Sequence, residues 1–205
     1  MGLTADQLRA GIDALAAGEP GFAAALARAG YPEPRIRDRG YATLLRTIVG
    51  QQVSVAAAAS IWRKLEAQVG DLTQPATITA ATDEQLRAAG LSRQKAGYAR
   101  SLADEVTSGR LDLDHLPADD EDAIKALTRI KGIGRWSAEI YLLFAEGRPD
   151  VWPAGDLAVQ IEIGRILGHP ERPSEKALRA LAEDWRPHRG AAAIMAWHHY
   201  KIEVI

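Results

Sequence analysis

The chain has 205 residues, 47% of them hydrophobic and 25% charged, with a formal net charge of −2 and no cysteine. That length and apolar content suit one large domain or two small lobes. The missing cysteine excludes disulfides, thiol nucleophiles and cysteine-held zinc or iron–sulfur clusters. No apolar run reaches the length of a membrane-spanning helix. The opening MGLTADQLRA lacks the basic start and apolar stretch of a secretory signal, so a cytoplasmic protein with no membrane partner is expected. A slightly acidic chain is an unusual nucleic-acid binder. Such binding would need segregated charge, or phosphates held by backbone amides. An acidic cluster at Asp112, Asp114, Asp119, Asp120, Glu121 and Asp122 precedes a basic run at Lys125, Arg129, Lys131 and Arg135. Segregation fits this order, and so do two solvated helix faces.

The elements read as nearly all helix, with abundant alanine and leucine and no alternating Val/Ile/Thr runs. Thr4 caps a helix to about Ala17, with Leu8, Ile12 and Leu15 at helical spacing. A short helix covers Gly21 to Ala29, and Pro32 and Pro34 mark a loop. Tyr41–Val49 and Ser54–Val69 read as helices, the second with an alanine-rich half suited to close packing. Asp83 opens a short helix ending at Gly90, and Ser92 caps the next, to about Ser108. Residues 109–117 form a linker. Asp119 to Arg129 is a helix with acids in its first turn, as the helix dipole favours. Helices follow from Arg135 to about Glu146, Leu157 to Leu167, Ser174 to Trp185 and Pro187 to Tyr200, the last with proline in its first turn.

The most specific segment is LTRIKGIGRWSA, residues 127–138. Gly132 and Gly134 sit between two helices, permit backbone conformations closed to other residues, and keep side chains from blocking a ligand. Ile133 between them can anchor the turn. The next helix begins with free N–H groups, where a phosphate can sit without a lysine. An ordinary helical hairpin with glycine at its turn would show the same spacing. A second feature is the loop 147–156, ending VWPAGD, where Asp156 stands at the start of a helix and reads equally as its N-cap. Asp150 is the competing acid.

These segments resemble the helix-hairpin-helix superfamily of base-excision DNA glycosylases, and within it the AlkA-type enzymes (DNA-3-methyladenine glycosylase II). The hairpin matches L-P-G-[IV]-G with Lys131 in place of proline, and VWPAGD matches a V-x-P-x-x-D loop. IVGQQVSVAAAA (48–59) matches I-[LV]-G-Q-[QL]-V-S-V-A-x-A-A. LSRQKAG (91–97) matches G-[LM]-S-x-x-K-A, and WRPHRGAAAIMAW (185–197) matches W-[RK]-P-x-R-x-x-A-x-x-x-x-W. These segments keep one order over roughly residues 35–200.

The resemblance implies an all-α fold of two helical lobes with a DNA-binding cleft. One lobe would hold about 41–128; the other would combine 1–40 with 129–205. Asp156 would be the catalytic carboxylate. Breaking an N-glycosidic bond develops oxocarbenium character on the sugar. A fixed anion beside that cation lowers the barrier and can orient the attacking water. Gln52, with Gln51 beside it, would wedge into the gap left by a flipped base; capping of a helix end is the plainer role. Trp136 and Trp197 would wall the base pocket, where indoles suit cationic alkylated purines, although helical Trp is commonly core. Ile140 stands where some relatives have tyrosine.

Lys131, Gly132, Gly134, Arg135 and Lys95 would hold the DNA backbone. Backbone carbonyls of Thr128, Ile130 and Ile133 would hold a structural sodium or potassium ion. No catalytic cofactor and no iron–sulfur cluster are expected. Relatives that also cut the strand carry lysine in G-[VI]-G-x-K to form a Schiff base; Trp136 fills that position. The implied activity is therefore a monofunctional glycosylase acting on double-stranded DNA with a damaged base, as a monomer, at a bacterial nucleoid. A same-fold enzyme for deaminated or oxidised bases, or a non-catalytic DNA-structure binder, are the alternatives. His188, His198 and His199 are expected at the surface or on phosphates.

Overall fold

A computed structural model describes residues 2–203, with side-chain surroundings through Lys201. It is all-helical, and no strand occurs among the described residues. The helices are α1 (Ala5–Gly18), α2 (Pro20–Ala29), α3 (Tyr41–Gly50), α4 (Val55–Val69), α5 (Pro75–Ala80), α6 (Asp83–Ala88), α7 (Arg93–Thr107), α8 (Asp120–Leu127), α9 (Arg135–Tyr141), α10 (Leu157–Ile166), α11 (Glu175–Leu181) and α12 (Arg189–Glu203). No helix among the described residues is long and apolar enough to cross a membrane.

The starts follow side-chain chemistry. Thr4 and Gln7 form a reciprocal capping box on α1, and Thr82 and Gln85 do the same on α6. Ser54, Ser92, Asp119, Asp156 and Ser174 each accept a backbone N–H as N-caps. Three differences from expectation have local causes. Helix α5 was not foreseen: it is a single short turn with two threonines, and proline at its first position is its main signal. Helix α9 widens into a π-turn over Leu142–Glu146, where the Phe144 carbonyl is taken by the N–H of Arg37. Pro187 lies outside α12, which begins at Arg189.

The chain divides into two units, one of residues up to Arg37 with those from Glu139 onward, the other Asp38–Ala138. The division falls past the hairpin, whereas the sequence reading put it at Thr128. The hairpin stays with the central unit because Ile130 and Ile133 are buried and the Lys131 N–H donates to Ser101 Oγ on α7 at 3.0 Å. In the central unit α3 packs on α4 and α7, α5 on α7, and α4 on α6, with Leu44, Leu45, Ile48, Leu65, Ile78, Leu86 and Leu102 buried.

In the other unit α12 packs on α10, α1 and α2. Its core joins Leu8, Ile12 and Leu15 of α1 to Phe22, Trp152, Ile163, Leu178, Trp185 and Met195. Phe22 and Trp152 each meet Trp185 edge-on, with ring centroids 5.1 and 5.5 Å apart. Phe22 is fully buried, so Phe22→Ala is expected to lower unfolding free energy by about 3–5 kcal/mol in urea titrations.

Candidate functional site

In the central unit, the turn after α3 and the hairpin after α8 are tied together. Gln51 Nε2 donates to the Gly132 carbonyl at 2.7 Å. Its side chain is thus a tether rather than part of a wedge. Gln52 is exposed and has φ 55, the one positive φ at a non-glycine among the described residues. A left-handed backbone costs a non-glycine residue energy and concentrates at functional sites. Beside it Val53 is exposed and Val55 is 89% exposed, an apolar edge that folding does not use. The sequence motif located Gln52; the strain and the neighbouring valines were not readable from it.

Gly132 has φ 85, and a Cβ there would lie 2.2 Å from the Tyr98 ring. Two constraints therefore require glycine. Gly134 differs: it needs no positive φ, and an added Cβ would meet nothing within 4 Å. The protein itself leaves that space open. Ile133 is buried as the turn's anchor. The Thr128 carbonyl is at the C-cap of α8, and the Ile130 carbonyl accepts the Ile133 N–H at 3.0 Å. Each carbonyl has two lone pairs, so the Ile130 carbonyl keeps one beyond its bond to the Ile133 N–H.

The basic run does not form a separate cationic surface. Lys125 pairs with Asp122, Arg129 with Glu105, and Arg135 with Glu121. Lys131 is exposed. Lys95 departs from its expected place on DNA: its ammonium donates to the Val49 carbonyl at 2.7 Å, capping the end of α3, and partial burial lowers its pKa. Trp136 is 48% exposed, as a ligand-facing indole requires and a core indole would not be.

In the other unit, Asp156 is half-buried at the N-cap of α10. Its Oδ1 accepts the Val159 N–H at 3.0 Å and Trp197 Nε1–H at 3.1 Å. Two donors on one oxygen hold the carboxylate in place at the N-terminus of α10. Trp197 is partly buried and lies against the Phe144 ring, centroids 5.6 Å apart. Ile140 and Trp197 both pack against the core cluster. Leu157, next to Asp156, is 54% exposed; as an ordinary leucine at a helix start it gave no signal in the sequence.

The competing acid is disposed of by its partners. Asp150 receives Arg189 in two bonds, at 2.8 and 2.9 Å, and Arg186 at 2.6 Å. The loop between the two acids is pinned: Trp152 Nε1 donates to the Leu178 carbonyl, and Arg179 reaches the Trp152 carbonyl and the buried Glu139. The expected surface histidines are not loose. His198 Nε2 donates to the Ala29 carbonyl, and buried His199 donates from Nδ1 to Glu162 at 2.5 Å; adjacent in sequence on α12, they face different neighbouring helices. No group of three or more His, Cys, Asp or Glu suited to a metal occurs among the described residues.

Residues 45–188 match the HhH-GPD superfamily base excision DNA repair protein family. The chain belongs to this superfamily. It is 32% identical over 168 residues to DNA-3-methyladenine glycosylase 1 of Schizosaccharomyces pombe, covering 79% of this chain and 73% of that protein. A Bacillus subtilis relative, 28% identical, is matched over 77% of this chain but 58% of its own length. Among solved structures, a DNA-3-methyladenine glycosidase from Bacillus halodurans superposes with a TM-score of 0.87 at 31% identity, covering 95% of this chain and 90% of that one. The S. pombe 3-methyladenine DNA glycosylase in complex with abasic DNA gives 0.69 at 28%, covering 90% and 92%.

The two HhH-GPD glycines should behave differently. Gly132→Ala is expected to cost about 2 kcal/mol or more, from φ strain plus the Tyr98 overlap. Gly134→Ala should stay within about 0.5 kcal/mol of the unaltered chain. Thermal or urea unfolding of the two variants checks the contrast.

Proposed function

We propose that this HhH-GPD chain is a monofunctional DNA N-glycosylase that flips alkylated purines, such as 3-methyladenine and 7-methylguanine, out of duplex DNA and releases them. The observation that carries the reading is the Asp156 carboxylate, held by Val159 and Trp197 on one oxygen at a helix N-terminus. Relatives named for 3-methyladenine release support the substrate class.

In the reaction the bond from the sugar C1′ to the base nitrogen breaks, and the electron pair leaves with the base. An N-alkylated purine is cationic before cleavage and leaves neutral, so no strong acid is needed on the leaving group. The sugar becomes an oxocarbenium ion, and the fixed Asp156 anion lowers its energy. Water then adds to C1′ and loses a proton, which Asp156 can accept. The products are a free base and an abasic site. Trp136 stands where strand-cutting relatives carry their lysine, so no Schiff base forms there.

DNA is held chiefly by backbone groups. The amides after Gly134 receive a phosphate in the open space that this glycine leaves, with Lys131 adding a charge. A sodium or potassium ion on the Thr128, Ile130 and Ile133 carbonyls would supply positive charge toward the same phosphate. Gln52 fills the gap left by the flipped nucleotide, with Val53 and Val55 as apolar flanks against the exposed bases. Trp136, Trp197, Ile140 and Leu157 contribute to base recognition, the indoles through cation–π contact.

The test is base release from methylated duplex DNA. Wild type should release 3-methyladenine and 7-methylguanine without strand breaks until alkali is added. Asp156→Asn should lose about a hundred-fold or more in single-turnover rate while still binding duplex. Release only from deaminated or oxidised substrates would overturn the lesion class. Binding without release from any lesion would overturn the enzyme.

A further inference from the structure

Glu162 is fully buried on α10, and its Oε1 accepts from His199 Nδ1 on α12 at 2.5 Å. Its Oε2 accepts from Arg165 at 3.1 Å. Replacing both partners of a buried polar pair by apolar side chains of similar shape is often near-neutral or stabilising, so packing alone does not call for this one. Its position suggests another use. The same two helices carry Asp156 and Trp197, and the Trp197 indole bonds to the Asp156 carboxylate at 3.1 Å. Both contacts run from α12 to α10, Trp197 to the N-cap Asp156 and His199 to Glu162 in the body of the helix. Two ties between the same pair of helices resist a rotation of α12 that a single tie would allow. A rotation of α12 would carry the Trp197 N–H off the Asp156 oxygen.

We propose that Glu162 and His199 are positioning residues: a buried latch between α10 and α12 that keeps the Trp197 indole N–H on the Asp156 carboxylate. The inference builds on the glycosylase reading above. Asp156 acts on the sugar, which every lesion shares. Loss of the latch should therefore slow release of different bases by one common factor, unlike a change in the base pocket.

The test uses the full chain with two variants. Glu162→Met/His199→Leu replaces the pair by apolar side chains and is expected to preserve folding, which its Tm checks. Glu162→Gln keeps an oxygen to accept the His199 N–H. The indole N–H resonance of Trp197, assigned with Trp197→Phe, reports the contact directly. In the double variant that resonance should move toward the position of an indole without a carboxylate partner. Single-turnover release should fall about ten-fold or more, equally for 3-methyladenine and 7-methylguanine, with duplex affinity and Tm close to wild type. Glu162→Gln should restore both the resonance and the rate to near wild type.

An unmoved resonance and an unchanged rate in the double variant would overturn the latch. So would losses that differ strongly between the two bases. If wild type releases no base while the resonance still follows the latch, the glycosylase reading fails and the latch stands.

Discussion

A carboxylate that is to stabilise a sugar cation must stay ionised, partly withdrawn from water and unable to turn away. Those demands conflict, because burial favours the neutral acid. Asp156, the carboxylate proposed for that role, receives two hydrogen bonds on one oxygen, from the first turn of α10 and from the indole of Trp197. Much of the surrounding unit serves that arrangement. Trp152 and Arg179 pin the loop that delivers Asp156. Arg186 and Arg189 pair with Asp150 on the same loop.

The charge economy of the central unit follows a different constraint. In a chain of net charge −2, three of the four basic residues clustered around the hairpin are paired with the protein's own acids. In the proposed reading backbone amides hold the phosphate instead; of the two hairpin glycines, Gly132 is required by its φ and by Tyr98, while Gly134 leaves open space. The Gln51 bond to the Gly132 carbonyl joins the hairpin to the strained turn at Gln52. The segments proposed to anchor phosphate and to enter the stack thus share a single support within the unit.

The helical class and most helix starts were legible because they rest on local chemistry: a capping side chain, a proline, a periodic apolar face. Asp156 was legible because its loop and its N-cap position are both local. Lys95 was misread, since a lysine near a helix start looks the same whether it meets solvent, phosphate or, as here, the Val49 carbonyl at the end of another helix. His199 was misread for the same reason: its partner Glu162 is distant in sequence and nothing near either residue announces the pairing. The hairpin's allegiance to the central unit also depends on a non-local bond, from the Lys131 N–H to Ser101. Motif position found residues; only three-dimensional packing assigned their partners.

The most direct check of the electrostatic role of Asp156 uses duplex DNA in which the damaged nucleotide is replaced by a cationic aza-sugar, compared with a neutral abasic analogue of the same shape. A site complementary to an oxocarbenium ion binds the cation more tightly. Wild type should prefer the cationic duplex strongly, and Asp156→Asn should bind the two alike. Equal affinity of the wild type for both duplexes, or a preference that survives Asp156→Asn, would contradict the account.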